Sequence, residues 1–405
     1  MSYLKGINPA WRTVRFGEIV VESQYGLSMS ASPSGRYPML RMNNLSDGSV
    51  TGDDVVHVDL SDADLRGYRL NAGDLLFNRT NSAALVGKTA VFGLRGDYVF
   101  ASYLIRFALR RDLADPHFVA YWFDSARGKV RLRELATLGV SQCNINPTSL
   151  QHSFHLPLPP LAEQKKIAAI LGTWDLAIEK LQSLLATKDE RLRALQQQLL
   201  TGTRRFAEFK KERWSNLKLG DVVTYQPRLT TKPKGAFLAA GIRSHGKGVF
   251  LKHDFEAEDI ALEELWELRT DDLVVNITFG WEGAVAIVPP EANGALVSHR
   301  FPTFVFKPGV SFPGYFRHVI RQQTFIFEMG LASPGGAGRN RVLSKKNFLR
   351  IPIKLPPLEE QKRIAAVLNA CAQEIRLLEA ELEALKLQKR GLMQKLLTGD
   401  IRVKT

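Results

Sequence analysis

Six short stretches concentrate hydrogen-bonding side chains among small residues. In the first half they hold Arg41, Asn43 and Asn44; then Arg79, Thr80 and Asn81, with Lys88 close behind; then Gln142 and Asn144. In the second half they hold Arg243, Ser244, His245 and Lys247; then Thr278 and Trp281; then Arg339, Asn340 and Arg341. Arg presents a planar fork and Asn and Gln paired donor and acceptor, which suits nucleobase edges, while Lys, Ser and Thr suit phosphate oxygens. Any one stretch alone also fits a solvated loop. Their recurrence at matching places in both halves favours a shared task. Trp281 offers a ring for stacking on a sugar or base, or equally an anchor for packing.

Other chemistries fail on context. Ser82-Ala-Ala-Leu-Val-Gly87-Lys88-Thr89 lacks the first glycine of a phosphate-cradling loop, and the residues after it read as strand and turn rather than helix. Glu163-Gln-Lys165 and Glu360-Gln-Lys362 mimic the end of a nuclease carboxylate–lysine motif, but both open helices and have no strand Asp nearby to complete a Mg²⁺ site. Asn146-Pro147-Thr148-Ser149 lacks the second proline and aromatic residue of an amino-methyltransferase tetrad. Gly335-Gly-Ala-Gly338 has the wrong spacing for dinucleotide binding. No two histidines are spaced as metal ligands, and His57, His152, His155 and His299 read as packing or capping residues. The expectation is a chain with no catalytic, metal or cofactor site of its own.

The elements that position these loops emerge from a repeat. Residues 158–202 align without a gap on residues 355–399, an offset of 197, with 21 identities in 45 positions. Trp11–Val20 likewise parallels Trp214–Val223, and Asp74–Asn78 parallels Asp272–Asn276. The chain is a tandem duplication: blocks 1–157 and 205–354 are variable, and blocks 158–204 and 355–405 are well matched. Each matched block opens with Leu-Pro-Pro, places Glu163 or Glu360 in a first helical turn, and ends at Gly202 or Gly399. Apolar residues between alternate by four and three: Ile167, Leu171, Trp174, Ile178, Leu181 and Leu185 in one copy, Ile364, Leu368, Cys371, Ile375, Leu378 and Leu382 in the other. Two such seams, broken only at Lys188 and Lys389, predict an antiparallel two-helix coiled coil with rods about 60 Å long. The variable blocks predict strands at Asp74–Asn78, Ala90–Leu94, Leu104–Arg110, Leu273–Ile277, Ala284–Val288 and Thr303–Lys307, and short helices at His117–Ser125 and Tyr315–Gln323. The fold class is α+β: two mixed globular domains separated by the coil, with pseudo-twofold symmetry.

Composition agrees. The chain has 405 residues, is 45% hydrophobic and carries a net charge of +14, which excludes a mostly disordered chain and favours a polyanionic partner. Block 1–157 holds 14 Arg and only 3 Lys, a ratio that solubility alone does not require. No apolar run reaches membrane-spanning length and the start lacks a signal-peptide core, so a cytoplasmic location is expected. Cys143 and Cys371 form neither a disulfide framework nor a zinc pattern.

The doubled Leu-Pro-Pro-Leu-x-Glu-Gln-Lys-(Lys/Arg)-Ile-Ala-Ala block, its long heptad helix and its Leu-Leu-Thr-Gly ending resemble the specificity subunit of a Type I restriction–modification system. Phe16-Gly17-Glu18, Leu219-Gly220-Asp221 and the strand Gly73-Asp74-Leu-Leu-Phe-Asn-Arg79 carry the same likeness. The resemblance implies two target-recognition domains, each reading one half of a bipartite double-stranded DNA site, with the helices setting the spacer. It also implies two methyltransferase subunits carrying S-adenosylmethionine, and restriction/translocase subunits using ATP and Mg²⁺, as partners that bring the chemistry. Asp271-Asp272 replaces the Gly73-Asp74 pair, and no Arg follows Asn276. The Arg79 contact is therefore not carried onto Ile277 or Thr278. Three other readings stay open: an enzyme acting alone on nucleic acid, a coiled-coil scaffold with protein-binding ends, and the specificity subunit of a related system whose partner fuses methylation with cleavage.

Overall fold

Pro159-Pro160 and Pro356-Pro357 stop the strands His155–Leu158 and Pro352–Leu355, and a helix starts directly after each. In the computed structural model, which describes residues 2–46, 48–82, 86–138, 142–335 and 341–404, these helices run Leu161–Thr201 and Leu358–Thr398, 41 residues each. The chain divides into two compact units, Met1–Leu184 with Leu378–Thr405, and Leu185–Leu377. Each long helix therefore contributes one part to each unit.

Inside each unit the two helices run antiparallel. In the first, Asp175 pairs with Lys389 and Glu163 with Arg402; in the second, Lys188 pairs with Glu374 and Arg205 with Glu360. Partner numbers rise on one helix as they fall on the other. Lys188 and Lys389, the two breaks in the apolar seams, are thus both used against a carboxylate of the opposite helix. Leu396 and Leu397 pack with Ile167 and Leu171 in the first core, and Leu199 and Leu200 with Ile364 and Leu368 in the second.

The same device closes both units. The carboxylate in the opening turn of each long helix is almost fully buried, Glu163 at 2% exposed and Glu360 at 0%. A buried carboxylate needs a partner. Arg402, three residues beyond Gly399, supplies one through Nε at 2.5 Å and Nη2 at 2.8 Å; Arg205, three beyond Gly202, supplies the other through Nε at 2.9 Å and Nη2 at 2.5 Å. Each guanidinium also lies over a domain-opening indole, Trp11 or Trp214, and Trp214 Nε1 donates to Glu360 at 3.0 Å. Gly399 and Gly202 have φ of +76° and +75°, and a Cβ at either would press on that same indole ring. The neighbouring Gln164 and Gln361 are buried and fully engaged. Gln164 donates to the carbonyls of Leu113 and Pro159 and accepts from Asp115 N, while Gln361 donates to those of Val310 and Pro356 and accepts from Phe312 N. The Glu-Gln pair that mimics a nuclease ending is a fastening, and the helix-start role expected for the glutamates is only part of it.

The variable blocks are sheets with short helices. In the first unit a six-stranded sheet runs Val20–Tyr25, Leu104–Leu109, Leu75–Asn78, Thr89–Val91, Gly48–Val50, Leu45–Ser46. In the second the order Val223–Tyr225, Thr303–Phe306, Leu273–Val275, Val285–Ile287 repeats its first four places. All six expected strands are present within a few residues of their expected ends. The expected helices appear as Pro116–Asp124 and Pro313–Val319, the first capped by Asp115.

In the second unit, His318 on the short helix meets Asn369 of the long one, Nε2 to Oδ1 at 2.9 Å. Burial holds its pKa below the ordinary 6.5, and the Arg321 and Arg317 charges act in the same direction. The unfolded chain then binds a proton more readily than the folded one. The stability this confers is present above pH 6.5 and is lost as pH falls through 6.5 towards the folded value. The melting temperature is expected to drop on such acidification, and His318→Gln to shrink the drop, as read by calorimetry across a pH series. Separately, Arg205→Ala leaves Glu360 buried without its cation; the expected cost is about 3 kcal/mol, measured by denaturant unfolding.

Candidate nucleic-acid interface

Arg79 ends the Leu75–Asn78 strand and starts a small ribbon. Thr80–Asn81 pairs antiparallel with Cys143–Asn144, which pairs with Thr137–Leu138. Alternation along such short strands puts Cys143 inside and Asn144 outside, beside Thr80. Asn144 Oδ1 accepts from Arg79 Nη1 and Thr80 Oγ1, both at 3.4 Å, and Gln142 is exposed next door. The Arg79 guanidinium lies 4.9 Å over the ring of Tyr25, which is 46% exposed. The ribbon is joined to the Arg41–Asn44 loop through Asn81 Nδ2, 3.7 Å from Met42 Sδ. Arg41, Met42, Asn43 and Tyr103 share an open cleft of about 700 Å³ there. Lys88 is half-buried and contributes its carbonyl to Asn78 N. The structure thus brings all three polar stretches of the first block together.

Not every expected contact residue is free to make one. Asn44 is 1% exposed; its Oδ1 accepts from Arg41 N at 2.8 Å and its Nδ2 donates to Asp53 O at 2.7 Å. It shapes the loop and does not face a ligand. Arg41 is held by the carbonyl of Asp54 at 2.9 Å, and Asn43 by that residue's carboxylate at 3.1 Å. Tyr25 and Tyr103 were not among the sequence candidates. Tyr25 lies 54 positions before the arginine it supports, so no local pattern marks it.

In the second unit Glu282 ties two of the stretches. Its carboxylate accepts from Ser244 Oγ at 2.7 Å and its carbonyl from His245 N at 2.8 Å. His245 takes a left-handed φ of +60° to do this. Arg243, over the ring of Phe250, and Lys247 are exposed. Thr278 N is capped by Asn276 Oδ1 at 3.0 Å. Trp281 is half-buried with its indole N–H inaccessible, and Arg341 lies 5.6 Å over its ring, which favours the packing role. Arg341 itself is spent on the end of the Gln323–Leu331 helix, donating to Gly330 O at 2.9 Å and Ser333 O at 3.4 Å. Arg339 and Asn340 lie outside the described residues, as does Ser141.

Asp74 and Asp272 complete the frame. Each caps the turn before its strand, accepting from Asn71 N at 2.8 Å and from Arg269 N at 3.3 Å. Burial pushes both carboxyls above the usual range, and Asp272 in addition holds Arg228.

A duplicated sheet domain carrying polar loops and closed by antiparallel helices suits recognition, and among the described residues no group of three or more His, Cys, Asp or Glu could hold a metal ion. The chain matches the Type I restriction modification DNA specificity domain twice, over residues 9–186 and 211–387, and so belongs to that family. It is a DNA sequence-recognition subunit and not a catalytic one, a role that joins it to DNA and to the other subunits of such a system. The putative type I restriction enzyme MjaX specificity subunit of Methanocaldococcus jannaschii is 27% identical over 387 residues, covering 91% of this chain and 88% of that protein. The MjaVIII specificity subunit of the same organism is 24% identical over 422 residues, covering 97% and 93%. The crystal structure of a Type I restriction–modification S subunit from M. genitalium shares the fold across 97% of both chains, with a TM-score of 0.60 at 15% identity.

The two kinds of amide side chain in the first block, Asn44 and Gln142, separate experimentally. Asn44→Ala is expected to lower stability by about 1–2 kcal/mol through its lost buried hydrogen bonds. Gln142→Ala is expected to leave the melting temperature unchanged and to weaken binding to the chain's own DNA target, read by fluorescence anisotropy.

Proposed function

We propose that this chain gives a Type I restriction–modification complex its bipartite site. Each recognition domain reads one half in double-stranded DNA, and the paired helices fix the gap and dock two methyltransferase subunits. In this reading S-adenosylmethionine serves those subunits, ATP and Mg²⁺ serve restriction/translocase subunits, and the assembly works in the cytoplasm. Among the described residues no helix is long and apolar enough to cross a membrane.

The observation that carries the proposal is the antiparallel pairing inside both units, sealed each time by an arginine on a buried glutamate. Two helices so fastened behave as a stiff connector, and two weak readers on a stiff connector bind as linked ligands, effective only at one separation. A helix of 41 residues is about 60 Å long, equal to roughly 17 base pairs, which accommodates two short half-sites and a gap.

Mapping methylated adenines in cells that hold this chain and its methyltransferase partner tests the reading. The expected motif is two unlike half-sites with a fixed gap. Inserting two helical turns (about seven residues, ~10 Å) into both long helices, at Ile178–Leu185 and Leu378–Leu385, should lengthen the gap by about three base pairs. The half-site sequences should stay the same. Altered half-sites at the old gap would reject the connector role.

A further inference from the structure

One backbone node recurs in both units with different chemistry on it. In the first unit Arg79 N donates to Tyr103 O at 3.2 Å, Arg79 O accepts from Ile145 N at 2.9 Å, and the preceding Asn78 N donates to Lys88 O. In the second, Ile277 N donates to Arg300 O at 3.0 Å, Ile277 O accepts from Leu343 N at 2.9 Å, and the preceding Asn276 N donates to Ala284 O. Each set fixes the residue just beyond a central strand against two other chain segments. The backbone position is therefore specified independently of the side chain it carries. At this node the first unit carries a guanidinium and the second an isoleucine that packs partly against the domain core.

The guanidinium is held ready for use. Tyr25 lies under its plane, Asn144 Oδ1 takes one hydrogen from Nη1, and Nε is inaccessible to solvent. Among the described residues, that leaves three of the four Nη hydrogens without an acceptor. Among the described residues no carboxylate pairs with Arg79, whereas Arg41 nearby is paired with Asp54. A stacked, pre-oriented fork with a free edge matches O6 and N7 of guanine in the major groove, the pairing in which two parallel donors are needed at a fixed spacing. Phosphate binding asks less of orientation.

We infer that Arg79 determines one base of the first half-site by reading a guanine. The inference rests on the bipartite DNA-reading role proposed above and adds the base class. Ile277 at the equivalent node has no donor and packs partly against the core, so the assignment is made for the first half-site alone.

The test uses the full chain co-expressed with the methyltransferase subunits of its own system, with methylated adenines mapped and single-base variants of the site ranked by methylation. The wild type is expected to need a G·C pair in one half-site. Arg79→Gln should lose that preference on the order of tenfold to a hundredfold and leave the other half-site untouched. Arg79→Lys keeps the charge without the fork and should lose most of it. A methylated bipartite motif whose guanine survives Arg79→Gln overturns the assignment and leaves the bipartite reading standing. So does a loss spread evenly over all sequences, which marks a phosphate contact. A wild type that methylates no bipartite motif overturns both.

Discussion

The carboxylates of Glu163 and Glu360 set the terms for the rest of the molecule. A carboxylate withdrawn from water at a helix start is costly unless a cation meets it there. The helix dipole helps only in part. In each unit that cation arrives from the segment just past the end of the other long helix, as Arg402 or Arg205. A parallel pairing of the same two apolar seams could bury as much leucine, but it would leave both glutamates without their arginines. A buried ion pair is a weak source of net stability and a strong discriminator between arrangements. Here it selects antiparallel over parallel. Asp175–Lys389 and Lys188–Glu374 repeat the selection within the seams, where a slip in register would separate each pair.

Because closure is handled by these fixed groups, the variable blocks are released from it. Gln164 and Gln361 fasten the helix starts to the loops before the short helices through main-chain atoms alone. Main-chain bonds place no demand on which side chains those loops carry. The same holds at the Arg79 and Ile277 nodes, each placed by backbone-to-backbone bonds to other chain segments. A frame held by backbone hydrogen bonds and a few buried charges can exchange its exposed side chains without losing its shape, which is what a protein reading two unlike sequences requires.

The 3.6-residue periodicity and the gapless repeat made the long helices legible, and two matched seams in one chain made their antiparallel pairing legible as well. The strands Leu75–Asn78 and Leu273–Val275 were readable because each is a short apolar run preceded by Asp and closed by Asn. Loops were legible as loops but not as surfaces. Asn44 has the same residue type as Asn43, which stays exposed, yet its amide donor is consumed by a carbonyl of its own chain. Which donors are consumed depends on contacts across the fold that composition does not encode. The clasp was hidden for the same reason: Glu163 and Arg402 are 239 positions apart, and each has an ordinary local explanation as a helix-start acid or a terminal basic residue.

Where the two copies diverge, they solve one packing problem with different atoms. Tyr121 and His318 lie 197 positions apart, on the equivalent short helices, and both turn a buried polar group towards a long helix. Tyr121 donates to Asp175 at 2.6 Å, with Lys389 against the same carboxylate and over its ring. His318 meets Asn369, one turn nearer the helix start in the repeat alignment, with no charge on the partner. Either pairing satisfies a polar group that burial would otherwise penalise. Selection acting on such a contact preserves that the group is satisfied and not which residue satisfies it. Sequence identity between the copies therefore survives in the helices, where one clasp has one workable chemistry. It fades in the domains, where many combinations close the same bonds.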